Sequence, residues 1–208
     1  MKILENKLAG KFIVLDGPDG CGKSTQSKML TEWIETQGVG SENFRDPGAT
    51  AIGEKIREIL LNPEHAAMSV RTELLLYMAA RAQLWHQKLA PALSSGKCVV
   101  MDRWISSTCA YQGYAGGFGV ESVLQLGRSC LERLWPDLTI LLDVDLKTAA
   151  ERMDRQLDRM EQKGAEFHQK VRDGFLQLTE HKNVVVIDAC QSIDMVHQQI
   201  IEIVGKIQ

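Results

Sequence analysis

The chain has 208 residues, of which 44% are hydrophobic and 25% charged, with a formal net charge of -3. This length and composition predict one globular domain, residues 1–208, with a substantial buried core. Proteins that bind nucleic-acid polymers usually carry a basic excess, so the acidic balance argues against such a partner. No signal peptide is expected, and no apolar run approaches the ~20 residues of a membrane helix, so we expect no membrane association.

Five cysteines are scattered along the chain without a CxxC pair or a regular spacing: Cys21, Cys98, Cys109, Cys130 and Cys190. An odd, irregular set indicates reduced thiols rather than a disulfide framework or a zinc site. The predicted location is therefore the cytoplasm.

Short apolar runs alternate with longer segments of helical period, which predicts a parallel sheet wrapped by helices in a doubly wound α/β fold. Strands are predicted at 11–16, 43–45, 97–102, 138–144 and 183–188. Helices are predicted at 22–36, 51–61, 69–93, 120–134, 146–160, 166–179 and 193–207. Three of the apolar runs end in aspartate, which places polar groups at the carboxyl edge of the sheet.

The first strand is followed by Gly17-Pro18-Asp19-Gly20-Cys21-Gly22-Lys23-Ser24, which fits GxxxxGK[ST] and opens a predicted helix. Glycines let successive N–H groups wrap a phosphate, and the helix start adds its positive end. This predicts ATP binding by Gly17, Asp19, Gly20, Cys21, Gly22, Lys23, Ser24 and Thr25. Lys23 would contact the β and γ phosphates, and the Ser24 hydroxyl would bind Mg²⁺.

The same loop occurs in several classes of protein, and a glycine-rich turn could also fit the pattern by chance. A GTPase-type switch would normally carry NKxD and DxxG motifs, and neither stands in a plausible position. A kinase that acts on a hydroxyl group is a second alternative, although that reaction needs help with a proton. A phosphate acceptor needs none, because its second pKa is about 6.

Four ordered blocks, spanning about residues 10–188, resemble the thymidylate kinase family of nucleoside-monophosphate kinases. The first is the loop within LDGPDGCGKSTQ, and the second is RDPGAT with GE and IR beyond it. The third is DRW followed by ST and AYQG, and the fourth runs from PDL through LDV to DRME. The blocks depart from the family pattern at Asp16 and Asp46, which replace glutamates, and at Trp104, which replaces a tyrosine.

The resemblance implies a three-layer P-loop NTPase fold with a five-stranded parallel sheet, and a homodimer. It implies an ATP- and Mg²⁺-dependent transferase that phosphorylates thymidylate (dTMP) to dTDP. A kinase for another or broader pyrimidine monophosphate, or a non-catalytic nucleotide-binding regulatory protein, are the alternatives. We expect Asp102 to hold Mg²⁺ together with Ser24, with a helix cap as its plainer role. We expect Arg103 to clamp the acceptor phosphate, because guanidinium offers a bidentate fork and a permanent charge.

The remaining acceptor-side roles also follow from the resemblance. Arg45 is expected to be a second cation, and Asp19 to accept from the 3′-hydroxyl. Tyr77 and Arg81 are four residues apart, on one helical face, and would recognise thymine; core filling and a solvated charge are the alternative. Tyr111 would disfavour a 2′-hydroxyl, and the expected hydrogen-bonding residues are Ser107, Thr108 and Gln112.

A short lid is expected at about residues 150–162. Arg152, Arg155 and Arg159 would share one face of the predicted helix and stabilise charge on ATP, with Arg155 and Arg159 acting in catalysis and Arg152 in ATP binding. Acidic residues follow a similar spacing, so a solvated, ion-paired helix is the alternative. Gly20 stands where another type of family member has arginine, which agrees with a charge supplied by the lid.

Overall fold

A computed structural model describes residues 7–154, 156–181 and 183–207. The described residues form one parallel sheet with strand order β2-β3-β1-β4-β5. The strands are β1 (Phe12–Asp16), β2 (Ser41–Arg45), β3 (Cys98–Asp102), β4 (Leu138–Asp143) and β5 (Val184–Asp188). The predicted α/β fold with a five-stranded parallel sheet is confirmed.

Helices connect the strands and cover both faces of the sheet. Those before β3 are α1 (Lys23–Thr36), α2 (Ala51–Leu61), α3 (Val70–Leu84) and α4 (Ala90–Ser94). Those after β3 are α5 (Ile105–Thr108), α6 (Val120–Cys130), α7 (Leu146–Glu151), α8 (Ala165–Gln177) and α9 (Ile193–Val204). Two π-helical segments, Trp85–Leu89 and Cys109–Ala115, continue α3 and α5. Single 3₁₀ turns occur at Pro63–His65, Glu161–Lys163 and Leu178–Glu180.

Alternate residues of β1 enter two different cores, because successive side chains of a strand point to opposite faces. Phe12 and Val14 pack in the core beneath α3, α6 and α8, while Ile13 and Leu15 pack in the core beneath α1 and α9. All four side chains are fully buried. This explains why β1 has a continuous hydrophobic sequence rather than an alternating one.

Strand β1 lies between β3 and β4, and the chain crosses from one side of it to the other after β3. In an open parallel sheet, ligands bind beyond the carboxyl ends of the strands at such a reversal. The glycine-rich loop leaves β1 at this point, and Asp102 ends the neighbouring strand β3. None of the helices in the described ranges is long and apolar enough to cross a membrane.

One helix prediction was wrong over most of its length, and another was a few residues too long. The predicted helix 146–160 ends at Glu151, because residues further along make tertiary contacts that outweigh helix propensity. The Arg159 backbone N–H donates to the Leu61 carbonyl at 3.0 Å, which draws the chain towards the end of α2. The predicted helix 120–134 also ends early, at Cys130. Helix α5 and the π segment that follows it were not predicted.

Candidate active site

The glycine-rich loop fits tightly against the elements beside it. A Cβ atom on Gly17 would lie 2.4 Å from the Leu142 carbonyl oxygen, and one on Gly20 would lie 2.5 Å from the Ala149 carbonyl oxygen. Both glycines also have positive φ angles, of 139° and 76°. Larger residues would clash with backbone at both positions, so the loop depends on glycine for its path. An arginine at position 20 is excluded unless α7 moves.

Lys23 is the first residue of α1 and curls back over the loop. Its Nζ donates to the Pro18 carbonyl at 2.7 Å, the Gly17 carbonyl at 3.1 Å and the Cys21 Sγ at 3.3 Å. Burial raises the pKa of the Cys21 thiol, so Cys21 is a space-filling neutral group in this loop. The loop therefore carries one buried cation at the positive end of a 14-residue helix.

Ser24 and Asp102 meet across the gap between α1 and β3. The Ser24 Oγ donates to the Asp102 Oδ2 at 2.5 Å. A hydroxyl and a carboxylate are both oxygen ligands of the kind that Mg²⁺ prefers. Their convergence beside the phosphate loop fits the predicted metal site.

Arg103 follows β3 in the left-handed region, with φ of 72°, which is uncommon for a residue other than glycine. Its backbone N–H donates to the Leu15 carbonyl at 3.0 Å. Its guanidinium donates from Nη1 to the Gly17 carbonyl and the Ser107 Oγ, both at 3.0 Å, and from Nη2 to Asp19. A strained conformation held by so many bonds is typical of functional sites.

Asp16 holds the segment that carries Arg103. Its fully buried carboxylate accepts hydrogen bonds from the Trp104 N–H at 3.3 Å, the Ser106 Oγ at 2.5 Å and the Ser107 N–H at 2.9 Å. It also accepts from the Ser107 Oγ at 2.6 Å. The Ser107 hydroxyl, which we expected to contact substrate, is thus bonded to Asp16 and Arg103.

Asp19 lies between Arg103 and Tyr111. It accepts from the Arg103 Nη2, and its Oδ2 accepts from the Tyr111 hydroxyl at 2.7 Å. Burial acts to raise the pKa of Asp19, but the charges of Arg103 and Lys23 outweigh it and lower that pKa to about 2. Burial and the nearby Asp19 carboxylate raise the pKa of Tyr111, so its phenol stays neutral.

Arg81 is only 1% exposed, which rules out the solvated-charge interpretation. Its Nε donates to the Asp46 Oδ2 at 2.6 Å, and its Nη2 donates to the Trp104 carbonyl at 3.1 Å and the Thr108 Oγ1 at 2.9 Å.

Tyr77, one turn earlier on α3 than Arg81, lies beside the cavity. Burial raises the pKa of Tyr77, with Glu73 adding to the effect, so this phenol is neutral as well.

These groups line a cavity of about 700 Å³ at the carboxyl edge of the sheet. Most of the predicted site residues contribute to its wall, and these are Asp19, Gly20, Cys21, Gly22, Lys23, Ser24, Thr25, Arg45, Tyr77, Arg81, Asp102, Arg103, Ser107, Thr108, Tyr111, Gln112 and Arg152. Arg45 also pairs with Glu54 at 2.9 Å. Gly17 lies behind the wall, where its carbonyl accepts from Lys23 and Arg103.

The predicted arginine stripe is wrong, because α7 ends before it. Arg152 lines the cavity, where its Nη1 donates to the Ala189 carbonyl at 2.9 Å. Arg159 instead turns away into the protein, pairing through Nη1 with the Glu73 Oε2 at 2.6 Å and donating from Nε to the Leu60 carbonyl at 2.6 Å. Its predicted catalytic position is therefore corrected to a buried anchoring one. Arg155 lies outside the described residues.

The DRME block has a local structural explanation. Asp158 Oδ1 accepts from the Glu161 N–H at 3.0 Å, and Glu161 Oε2 accepts from the Asp158 N–H at 2.9 Å. This reciprocal pair is a capping box, which starts the 3₁₀ turn Glu161–Lys163. The motif therefore fixes the path of the chain where it returns from the cavity to α8.

Sequence reasoning missed several residues of the site. Arg57, on α2, lines the cavity and donates to the Pro47 carbonyl at 3.1 Å. Glu73 is a buried carboxylate behind Gln112. In the sequence it was visible only as an acidic residue one turn before Tyr77. Gln26, directly after the loop, donates to the Ile193 carbonyl at 2.8 Å and so joins α1 to α9.

The fold and the site together define a class of protein. A parallel sheet, a glycine-rich phosphate loop at its reversal point and a facing cluster of cations are the features of a P-loop nucleotide-binding phosphotransferase. The family model named Thymidylate kinase matches residues 15–200, most of the chain.

Individual relatives agree with that match over nearly the whole chain. Thymidylate kinase from Thermoanaerobacter sp. (strain X514) is 42% identical over 202 residues, covering 96% of this chain and 99% of the relative. Thymidylate kinase from Geobacillus sp. (strain WCH70) is 40% identical, covering 91% and 93%. The crystal structure of thymidylate kinase from Ehrlichia chaffeensis has a TM-score of 0.76 at 32% identity, covering 93% and 97%. The chain belongs to the thymidylate kinase family.

Proposed function

We propose that the cavity transfers the terminal phosphoryl group of ATP to dTMP and yields dTDP and ADP. ATP-dependent phosphorylation of dTMP is the activity of the family to which the chain belongs. The observation that carries the proposal for this chain is that the phosphate loop and the Arg103–Asp19–Tyr111 cluster face one cavity. A donor phosphate on the loop and an acceptor phosphate at Arg103 would be neighbours there.

On the donor side, Lys23 and the loop N–H groups bind the ATP phosphates. Ala189, Gln191 and Ile193 line the cavity beside Arg152, which is the place for the adenine and ribose. The planar guanidinium of Arg152 would stack on the ring there. Arg155 remains our candidate for the lid cation that contacts the transferred phosphoryl group, within a lid at about residues 150–162.

On the acceptor side, Arg103 binds the dTMP phosphate as a bidentate donor, with Arg45 and Arg57 as further cations. Tyr77 lies against the thymine, and Arg81 donates to its exocyclic oxygen. Asp19 accepts from the 3′-hydroxyl. The buried Tyr111 ring closes the space beside the sugar, which disfavours a 2′-hydroxyl.

Ser24 and Asp102 would hold Mg²⁺, and Asp102 would do so directly or through water. The ion would neutralise charge on the β and γ phosphates during the transfer. Lys23 supplies further positive charge at the same place. The acceptor oxygen is already ionised at neutral pH, so the residues of the chain act by positioning and charge neutralisation and none is needed as a general base.

The exposed face of α2 and α3 supports a homodimer. Ile52 and Ile59 lie seven residues apart on α2, so they share one helical face, and they are 54% and 42% exposed. Leu75, on the adjoining α3, is 59% exposed. A second copy of the chain would cover this apolar face. Sedimentation of Leu75→Lys should show a monomer where the unmodified chain shows a dimer, and a monomeric unmodified chain would contradict the proposal.

We propose that the protein is located in the cytoplasm, because its free cysteines agree with a reducing compartment. Cys130 and Cys190 are both exposed thiols, and neither is in a disulfide. Exposed thiols persist in the compartments where glutathione keeps them reduced.

The test of activity is a coupled ADP-release assay with ATP and Mg²⁺ against dTMP, dUMP, dCMP, UMP, dGMP and AMP. We expect dTMP to have the highest kcat/KM. A higher value for another monophosphate would overturn the assignment of Tyr77 and Arg81 to thymine. Binding of ATP with no turnover on the whole panel would indicate a regulatory nucleotide-binding protein instead.

A further inference from the structure

A buried carboxylate stands behind the acceptor pocket. Glu73 lies on α3 and is 1% exposed. Its Oε1 accepts a hydrogen bond from the Gln112 Nε2 at 2.7 Å, and its Oε2 lies 2.6 Å from the Arg159 Nη1 and 3.3 Å from the Lys163 Nζ. Glu73 thus joins α3, the π segment Cys109–Ala115 and the turn Glu161–Lys163.

The bond to Glu73 determines which way the Gln112 amide points. An amide group carries one acceptor oxygen and one donor nitrogen, and a carboxylate only accepts. Since Gln112 turns its nitrogen towards Glu73 and gives it one N–H, its Oε1 is the acceptor left for other partners. Gln112 is 2% exposed and lines the cavity, and its Oε1 accepts no hydrogen bond from any residue in the described part of the chain.

A matching pair lies two turns further along α3. Arg81 donates to Thr108 at 2.9 Å, just as Glu73 accepts from Gln112. Glu73, Tyr77 and Arg81 are spaced four apart on one face of α3, and Thr108 and Gln112 are four apart on the facing element. The two contacts are therefore parallel, with Tyr77 between them. One end of the wall offers guanidinium donors and the other offers a carbonyl acceptor.

We infer that Glu73 is a specificity-determining positioning residue, which holds the Gln112 carbonyl towards the base so that the pocket takes 4-oxo pyrimidines and rejects 4-amino pyrimidines. Thymine and uracil present an N3–H donor and an O4 acceptor, which match the Gln112 Oε1 and the Arg81 guanidinium. Cytosine presents an N3 acceptor and an N4 donor, so both contacts would be mismatched. A buried polar group that faces the wrong partner discriminates strongly.

The inference rests on the proposed function, and its test uses a ratio that a general loss of stability does not change. We would measure kcat/KM for dUMP and dCMP, which differ at the 4-position and N3 and share everything else. The variant Glu73→Gln removes the fixed polarity, because its side chain accepts or donates and lets the Gln112 amide rotate. We expect the dUMP/dCMP ratio to fall by about tenfold or more, from the loss of one oriented hydrogen bond.

Two further variants separate positioning from structural support. Lys163→Met removes another partner of Glu73 without touching Gln112, and it should leave the ratio within about twofold of the unmodified value. Gln112→Met should lower the ratio as Glu73→Gln does, and in the Gln112→Met background Glu73→Gln should lower it no further. If Glu73→Gln fails to fold, the double variant Glu73→Gln with Arg159→Met removes the unpaired buried cation and takes its place.

An unchanged ratio in folded Glu73→Gln would overturn the inference. A fall of equal size in Lys163→Met, or a further fall when Glu73→Gln is added to Gln112→Met, would overturn it too. Failure of the unmodified protein to phosphorylate dTMP would instead overturn the proposed function, so the two failures are distinguishable.

Discussion

On the proposed acceptor side of the cavity, buried and partly buried carboxylates fix the principal cations, whereas on the proposed donor side the cations are bonded to backbone carbonyls. Arg103 is bonded to Asp19 and lies 3.7 Å from Asp16, and Arg81 is bonded to Asp46. Lys23 donates to the carbonyls of its own loop, and Arg152 donates to that of Ala189.

The difference matches what each side has to do. A carboxylate partner fixes a guanidinium in one place, which suits recognition of a rigid base and a phosphate whose position is constant. Breaking a cation's hydrogen bond to a carbonyl costs less free energy than breaking its ion pair with a carboxylate, because the carbonyl carries no net charge. The donor cations are thus able to turn towards phosphate oxygens and follow charge as it moves to the leaving group.

The largest effect is expected from removing the donor cation. Lys23→Met should lower kcat by about a thousandfold, because it deletes a charge aimed at the transferred phosphoryl group. Stability should change little, since the bonds lost go to carbonyls at the edge of a cavity. Steady-state kinetics and urea unfolding check the two parts. Lys28→Met, an exposed lysine on the same helix, is the control. A thousandfold loss with Lys28→Met would show that the effect is not specific to position 23.

Removing an acceptor cation should damage both activity and stability. Arg103→Met leaves Asp16 and Asp19 without their cation, so we expect a loss of about 3 kcal/mol in the free energy of unfolding. We also expect kcat/KM for dTMP to fall by about a hundredfold, since a phosphate contact is lost. Arg103→Lys should recover part of the stability and little of the activity, because it keeps the charge and loses the fork. Full activity in Arg103→Met would disprove the phosphate clamp.

The carboxylate on the acceptor side should also be visible as a pH dependence. The native pKa of Asp19, about 2, lies below its ordinary value of 3.8. Its ionised form therefore contributes about 2 kcal/mol of stability above pH 4, and that contribution is lost as the pH falls towards 2.

Urea unfolding of the unmodified protein and of Asp19→Asn between pH 5 and pH 2.5 measures this contribution. The difference in stability between the two should shrink as the pH falls. Asp194→Asn, which removes an exposed carboxylate of α9, is the control. A constant difference for Asp19→Asn would mean that Arg103 does not favour the ionised form.

The smallest effect is expected far from the cavity. Glu121 pairs with Arg128 at 2.8 Å, but the two side chains are 77% and 55% exposed. Glu121→Gln should change the free energy of unfolding by less than about 0.5 kcal/mol and leave kcat unchanged, because water screens exposed pairs. A loss comparable to that of Arg103→Met would show that burial is not what separates the two kinds of ion pair.

The sequence predicted four of the strands well and β2 poorly. The sequences of β1, β3 and β4 are continuous apolar runs, a pattern that indicates strands buried on both faces of a sheet. β2 was predicted only from residue 43, because Ser41 and Glu42 are polar residues of an edge strand and carry no hydrophobic signal. The prediction of a helix at 146–160 was wrong for the opposite reason, because there the local signal was strong. Its residues have good helix propensity, and the bonds of Arg159 to Glu73 and Leu60 outweigh it.

For the site, motifs predicted most residues at the wall and missed Arg57 there and Glu73 behind it. Lys23 and Ser24 follow from a local pattern, because the loop conformation and the helix start are encoded within eight residues. The Glu73–Gln112 bond joins residues 39 positions apart. No period or spacing within one sequence reveals such a pair, so the supporting carboxylates become visible only once the chain is folded.

The π segment Cys109–Ala115 carries Tyr111 and Gln112 and has a consequence for how this region tolerates changes in length. A π turn holds one residue more than the α turn it replaces. Deleting a single residue from 113–115 would let regular α winding return, and the wide turn that places Tyr111 and Gln112 at the cavity would be lost. Insertions and deletions at this site should therefore be far more harmful than substitutions.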